Sequence, residues 1–197
     1  MNLLAHAYLS FQQPEILVGN MISDYVKGKK QYDYPLGIQQ GIRLHRAIDH
    51  YTDHHLATQI GKQVFKSSVG LYAGAFMDVV YDHFLALDLN ELSENEWHRY
   101  TENIYAQLKE NINFLPERFA AQLPHMSSHN WLYNYRYPVA IEKSFGGLVR
   151  RAQYLDDHRQ AFKNFEDNYA FLKAQYESFF PDVKKFAELE LDRLQIK

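Results

Sequence analysis

The sequence predicts an all-α protein, and three observations support this. Apolar residues recur at helical spacing along nearly the whole chain, which indicates amphipathic helices rather than strands. Helix-breaking residues are sparse, with 9 Gly and 6 Pro, and no segment is typical of a long linker. Aromatic residues make up 15% of the chain, so packing between rings should supply much of the core.

The first half of the chain predicts five helices. Pro14 and Pro35 suit a first helical turn, where a missing N–H costs nothing. Apolar spacing sets the remaining bounds. The predicted helices cover residues 3–11, 14–26, 35–54, 56–66 and 69–87.

The second half is more polar and also predicts helices. Ser93, followed three residues later by Glu96, is a capping-box pattern and opens one of them. We expect Pro181 to end one helix before a final amphipathic stretch, and residues 131–137 to be an aromatic-rich connector. The predicted helices cover residues 93–111, 116–123, 138–155, 159–180 and 183–194.

Length and composition limit the class of protein. The 197 residues fit a single domain over residues 1–197, and the absence of Cys excludes disulfides and thiolate metal sites. A net charge of -3 argues against a protein that coats nucleic acid. Residues 69–87 are long enough to span a membrane, but Asp78 and Asp82 make that unfavourable. With no signal-peptide pattern, we expect a cytoplasmic protein with neither a nucleic acid nor a membrane partner.

Acidic and imidazole side chains lie on helix faces that are otherwise apolar. In the fifth helix Asp78 and Asp82 follow the same stripe, and His83 lies on the neighbouring one. The third helix carries His45 and Asp49 in the same way, and the second carries Asp24. Buried carboxylates need a partner or a metal. Carboxylates with one or two imidazoles suit Mn²⁺, Mg²⁺ or Fe²⁺, so the pattern predicts a divalent-metal site.

Structural explanations remain open for most of these residues. His45 and Asp49 are also compatible with an ordinary i, i+4 surface pair. Asp78 and Asp82 are also compatible with a buried ionic network that includes Arg43 or Arg46. Asp24 could instead cap the element that follows it. His6 is a weaker candidate ligand, since a lone histidine on an apolar helix is more often a core residue.

Basic residues cluster near these segments although the chain is net acidic. A run of this kind is usually a solvated turn, but beside a phosphoester site it would attract an acidic partner. The residues are Lys27, Lys29, Lys30, Arg43 and Arg46.

Four blocks of this sequence resemble the bacterial acyl carrier protein phosphodiesterase family. They occur in the family's order and spacing, and together they are specific. The blocks are residues 1–6 (MNLLAH), 19–28 (GNMISDYVKG), 41–49 (GIRLHRAID) and 78–86 (DVVYDHFLA).

The resemblance implies an HD-domain-like helical bundle with additional C-terminal helices. It also implies hydrolysis of the phosphodiester that links 4′-phosphopantetheine to holo acyl carrier protein, with Mn²⁺ as the expected ion and Mg²⁺ or Fe²⁺ as alternatives. The acidic carrier protein would dock near the basic residues. Ordinary HD domains carry an adjacent His-Asp pair, whereas Asp82-His83 is reversed here.

The site residues divide into expected metal ligands and expected catalytic groups. The expected ligands are Asp24, His45, Asp78, Asp82, His83 and, more weakly, His6. The expected catalytic residues are His45, Asp49 and His83 for proton transfer, with Arg43 or Arg46 stabilising phosphate oxygens. Tyr25, Phe76 and Tyr81 are candidates to line a groove for the pantetheine arm.

Two other functions fit the same pattern. One is an HD-type phosphohydrolase that acts on a nucleotide or another small phosphoester. The other is a non-catalytic helical binding protein whose buried ionic groups hold no metal.

Overall fold

The computed structural model describes residues 1–196, and within them it contains twelve α-helices and no β-strand. The all-α prediction is therefore confirmed, while HD-domain likeness and a single domain over residues 1–197 stay predictions. The helices are α1 (Leu3–Tyr8), α2 (Pro14–Ile22), α3 (Leu36–His54), α4 (Leu56–Gly61), α5 (Gln63–Val69), α6 (Ala73–Ala86), α7 (Glu94–Glu110), α8 (Glu117–Ser128), α9 (Trp131–Asn134), α10 (Pro138–Arg151), α11 (Arg159–Asp167) and α12 (Tyr169–Gln195).

Several helices of the first half are shorter than predicted. Helix α1 ends at Tyr8, and Phe11 and Gln12 then adopt left-handed backbone conformations with φ of 49° and 58°. The helix predicted over residues 69–87 begins only at Ala73, because Gly70 has a φ of 55° and opens a short 3₁₀ turn. Leu71 in that turn is fully exposed, so the apolar stripe of α6 begins after it.

The prediction that Pro181 ends a helix is wrong, because Pro181 lies inside α12, a helix of 27 residues. An interior proline costs about 3 kcal/mol relative to Ala. The burial of Phe180, Val183 and Ala187 around it offsets that cost. The predicted connector over residues 131–137 likewise contains a short helix, α9.

Helices α2 and α3 approach each other closely through two glycines. A Cβ atom on Gly19 would lie 2.1 Å from the carbonyl oxygen of Ile38, and one on Gly41 would lie 2.3 Å from that of Ile16. Only hydrogen fits at either position. This contact brings the middle of α3, which carries His45, against the C-terminal half of α2.

Aromatic rings fill much of the core, as the composition predicts. Phe76 of α6 packs against Phe65 and Phe145, and Phe145 contacts Phe165 of α11. Tyr81 stacks on Phe179 of α12 with ring centroids 4.4 Å apart. No helix within residues 1–196 combines the length and apolarity needed to cross a membrane.

Candidate metal centre

Three helix-borne side chains converge on one point beside α2. His6 Nε2 lies 3.1 Å from Asp49 Oδ1, and His45 Nε2 lies 3.1 Å from Asp49 Oδ2. The three residues offer ligand atoms that all lie within 4.8 Å of one another. The imidazoles stack with centroids 3.8 Å apart and an interplanar angle of 14°. Both histidines are buried, while Asp49 is partly exposed.

Hydrogen bonds to Asn20 determine which ring nitrogens face the cluster. His45 Nδ1 lies 2.7 Å from the backbone carbonyl oxygen of Asn20, and His6 Nδ1 lies 2.9 Å from Asn20 Oδ1. Because oxygens of this kind only accept, both Nδ1 atoms carry the proton. Each neutral ring therefore directs an unprotonated Nε2 towards Asp49.

When both rings are neutral, this arrangement leaves hydrogen-bond acceptors facing one another. His45 Nε2 is buried without a hydrogen-bond partner, although Asp24 Oδ1 is 3.3 Å away. Two acceptors at such distances repel unless a proton or a cation lies between them. Two imidazole nitrogens with carboxylate oxygens form a ligand set that suits a divalent transition metal. The residues present therefore fit a metal ion.

The charges around the cluster shift the pKa values of its members. Burial alone would lower the pKa of His45, but the carboxylates of Asp24 and Asp49 raise it to about 9. Burial lowers the pKa of His6 to about 4, and the neighbouring His45 acts in the same direction. Burial would raise the pKa of Asp49, but its contacts with His45, His6 and the Met1 amino group hold it well below its usual range.

Two further carboxylates border the cluster. Asp24 follows α2 at the surface, where its side chain is 81% exposed. Asp78 projects from α6, and its Oδ1 lies 3.2 Å from the amino nitrogen of Met1, which also lies 2.9 Å from Asp49 Oδ1. Burial raises the pKa of Asp78, opposed by the Met1 amino group. The cluster thus opens to solvent on the Asp24 side and is closed by Asp78 and Met1.

Comparison with known proteins gives one consistent result. A family model described as acyl carrier protein phosphodiesterase matches residues 1–183. The chain belongs to the acyl carrier protein phosphodiesterase family. No solved structure matches it significantly.

Relatives in this family match nearly end to end. The chain is similar to an acyl carrier protein phosphodiesterase of Klebsiella pneumoniae subsp. pneumoniae, with 31% identity over 95% of this chain and 98% of the relative. It is 29% identical to that of Photorhabdus laumondii subsp. laumondii, over 95% of this chain and 96% of the relative. It is 30% identical to that of Escherichia coli O157:H7, over 92% of this chain and 94% of the relative.

Asp82 lies close to the cluster in this family member but is bound to backbone. Its Oδ2 accepts from the N–H of Leu4 at 2.8 Å and its Oδ1 from that of Ala5 at 3.0 Å. These donors belong to the first turn of α1, so Asp82 caps that helix from α6. Burial raises the pKa of Asp82 to about 7, and the two N–H donors oppose the shift. Asp82 thereby positions the helix that carries His6.

His83 lies on another side of α6 and has both ring nitrogens bound. Its Nδ1 donates to the carbonyl oxygen of Tyr135 at 2.7 Å, and its Nε2 accepts from the hydroxyl of Tyr169 at 2.8 Å. Burial lowers the pKa of His83, so the neutral ring prevails. The structure does not bring this residue, a candidate ligand and catalytic group from the sequence, into the cluster.

The two arginines of α3 differ in position. Successive residues of an α-helix are rotated by about 100° around its axis. Arg43 therefore lies about 200° from His45, on the side away from the cluster. Arg46 lies about 60° from Asp49, on the side of the cluster. The Arg46 guanidinium donates to the carbonyl oxygen of Val26 at 2.9 Å and to Gln31 at 3.0 Å. Arg46 thus fastens the basic segment of residues 26–31 beside the cluster.

The aromatic groove candidates are mostly buried. Phe76 and Tyr81 are 0% exposed, so the expectation that they line an accessible groove is wrong. Both belong to the ring packing of the core. Tyr25 is partly exposed and contacts Phe119 of α8.

Sequence reasoning missed Asn20, Gly19 and Gly41 as residues that build the site. Asn20 is the only polar side chain in the buried stretch Ile16–Ile22, and this isolation is the signal that identifies it. The role of the glycines depends on which helices pack together. The contact between α1 and Asp82 is equally a tertiary feature.

Proposed function

We propose that this protein hydrolyses the phosphodiester that joins 4′-phosphopantetheine to a serine of holo acyl carrier protein, which gives apo carrier protein and 4′-phosphopantetheine. The family match over residues 1–183 carries the proposal. The cluster of His6, His45 and Asp49 supports it, because metal-assisted hydrolysis of a phosphodiester needs no protein nucleophile.

His6 Nε2, His45 Nε2 and the Asp49 carboxylate would hold the divalent ion, with Asp24 at the exposed edge. The contacts that support this set are the 3.1 Å approaches of both imidazoles to Asp49 and the partnerless Nε2 of His45. An ion there would lower the pKa of water and neutralise charge on the phosphate. Compared with the ligand set expected from sequence, this proposal adds Asp49 and leaves out Asp78, Asp82 and His83.

Asp78 is the proposed proton acceptor. A general base works best when its pKa is near the working pH. Burial raises the pKa of Asp78, whereas the close contact with His45 holds that of Asp24 below its usual value. Asp78 is also connected to the cluster through the Met1 amino group, which contacts both Asp78 and Asp49.

The basic segment after α2 is the proposed docking surface for the acidic carrier protein. Lys27, Lys29 and Lys30 are exposed, and the segment is bound to α3 through Arg46 one residue after His45. A carrier protein attracted there would have its prosthetic group close to the cluster. We assign Arg46 to this anchoring and place no phosphate contact on Arg43, which lies on the far side of α3.

Intact-mass analysis of holo acyl carrier protein tests the proposed function. We expect the carrier to lose the phosphopantetheine mass when the protein and Mn²⁺ are present, and to keep it when EDTA is added. His45→Ala and Asp49→Asn should be inactive with folding retained. The matched control is His98→Ala, which alters an exposed histidine of α7 that pairs with Glu102.

Other outcomes separate the alternative functions. Turnover of nucleotides with no change in holo carrier would indicate a small-molecule phosphohydrolase. A protein that binds no Mn²⁺, and whose melting temperature is the same with and without EDTA, would contradict the metal site and favour the non-catalytic protein.

A further inference from the structure

We propose that Asn20 is the positioning residue that keeps the proton on Nδ1 of both His6 and His45, so that both Nε2 atoms face the cation. The inference rests on the proposed function, because it treats the cluster as a metal site. Its central claim, however, concerns the protonation of ring nitrogens in the metal-free protein and can be tested separately.

The side-chain amide of Asn20 can adopt only one orientation. Its Nδ2 donates to the backbone carbonyl oxygen of His6 at 2.8 Å and to Ser10 Oγ at 3.1 Å. A carbonyl oxygen cannot donate, so the amide NH₂ group must face it. Oδ1 then faces His6 Nδ1 at 2.9 Å, and Nδ1 must be the protonated nitrogen.

The backbone of the same residue orients the second ring. The carbonyl oxygen of Asn20 accepts from His45 Nδ1 at 2.7 Å. Asn20 lies in α2, while His6 and His45 come from α1 and α3, so one residue connects the two rings that stack at 3.8 Å. Metal-binding histidines characteristically use the second ring nitrogen in this way, which fixes tautomer and ring direction.

The surroundings of Asn20 favour this role over simple packing. Asn20 is 0% exposed, and its neighbours in α2, Val18 and Met21, are apolar and buried. A buried amide is costly unless its hydrogen bonds are made, and an apolar residue of similar size would otherwise fit such a helix better. The polar atoms of Asn20 are used on His6, Ser10 and His45.

Long-range ¹⁵N–¹H NMR of the metal-free protein at pH 8 tests the inference directly. An imidazole with the ordinary pKa of about 6.5 is already neutral at this pH, so the spectrum shows which ring nitrogen keeps the proton. We expect the wild-type His6 ring to carry its proton on Nδ1. In Asn20→Ala the signal should shift towards the Nε2-protonated tautomer, whereas Asn20→Asp keeps an acceptor at Nδ1 and should retain the wild-type pattern.

Metal affinity provides the second measurement. By calorimetric titration with Mn²⁺, Asn20→Ala should bind about 10- to 100-fold more weakly than wild type, the usual loss for a group that orients a ligand. Asn20→Asp should lose less Mn²⁺ affinity than Asn20→Ala. Ser10→Ala is the matched control, since it removes one hydrogen bond of the Asn20 amide but leaves the bond to His6 Nδ1.

The results separate this inference from the proposed function. A wild-type His6 with its proton on Nε2 overturns the inference, even if no variant folds. An Asn20→Ala protein with lower melting temperature but unchanged tautomer and Mn²⁺ affinity also overturns it, because that pattern describes a purely structural residue. Wild type that shows the expected tautomer but binds no Mn²⁺ supports the role of Asn20 and contradicts the metal site.

Discussion

The carboxylate of Asp49 bridges two imidazoles, with one oxygen 3.1 Å from His6 Nε2 and the other 3.1 Å from His45 Nε2. His45 and Asp49 share a face of α3, one turn apart, whereas His6 arrives from α1. Because both rings donate through Nδ1, each Nε2 faces the Asp49 carboxylate and needs a proton or a cation between the two.

Removal of a cluster residue should strongly weaken Mn²⁺ binding without unfolding the protein. His45→Ala should weaken Mn²⁺ binding at least about 100-fold, since removing a ligand costs more affinity than removing a residue that only orients a ligand. His83→Ala should instead lower stability by about 1–3 kcal/mol for each buried partner left unpaired, at Tyr135 and Tyr169. Calorimetric titration and urea unfolding measure the two effects. Wild-type Mn²⁺ affinity in His45→Ala would contradict the proposed site.

Mn²⁺ binding at pH 7 should release about one proton. In the metal-free protein Asp24 and Asp49 raise the pKa of His45 to about 9, so Nε2 is protonated at pH 7 and must lose that proton to bind metal. Titrations in two buffers of different ionisation enthalpy count the protons. The release should fall towards zero above pH 9, and a pH-independent value would contradict the assignment.

The same raised pKa has a consequence for stability without metal. The folded-state pKa of His45, about 9, lies above the ordinary value of 6.5. The stabilisation from the charged ring is therefore complete below pH 6.5 and is lost as the pH rises through 9. The difference in free energy of unfolding between wild type and His45→Gln should shrink across that window in EDTA. A constant difference would show that the His45 charge is not stabilised.

Gly41→Ala should destabilise the protein and weaken Mn²⁺ binding together. The added Cβ would lie 2.3 Å from the carbonyl oxygen of Ile16, so α3 must move away from α2 and from Asn20. Overpacking of this kind costs about 1–3 kcal/mol. Gly74→Ala in α6 is the control, because its Cβ meets nothing within 4 Å and should stabilise the helix by up to about 1 kcal/mol. Urea unfolding and Mn²⁺ titration provide the measurements.

Asp82→Ala should loosen α1. The change leaves the N–H groups of Leu4 and Ala5 without their acceptor, which should lower the free energy of unfolding by about 1–3 kcal/mol for each buried group. Hydrogen exchange at these two amides should accelerate, and Mn²⁺ affinity should fall because His6 moves with α1. Asn2→Ala is the comparison, since the Asn2 side chain binds the Tyr135 hydroxyl and caps no N–H. Unchanged exchange in Asp82→Ala would contradict the capping role.

Charge reversal of the basic segment should raise KM for holo acyl carrier protein with little change in kcat. The variant carries Glu at positions 27, 29 and 30, and its KM should depend less on salt than that of wild type. A matched variant reverses three exposed lysines on other helices, Lys109, Lys143 and Lys185. Equal KM changes in both variants would contradict docking at this segment.

Local sequence was sufficient for much of the fold. The predicted capping box of Ser93 and Glu96 is present at the start of α7, and proline occupies the first turn of α2 and α10. The prediction at Pro181 is wrong because burial of its neighbours in α12 outweighs the low helix propensity of proline. Tertiary packing can override propensity wherever enough apolar area is buried.

Helical spacing is enough to predict the helices and the residue types of the site, because it puts Asp78, Asp82, His45 and Asp49 on faces that must be buried. The role of each residue depends on how the helices pack. Asp82 caps α1 and His83 binds Tyr135 and Tyr169, while His6, the weaker candidate, meets Asp49. Spacing along one helix fixes the direction in which a side chain points. The partner that the side chain meets depends on which helix packs against that face. Here the glycine contact between α2 and α3, and the cap that Asp82 of α6 provides to α1, determine those partners.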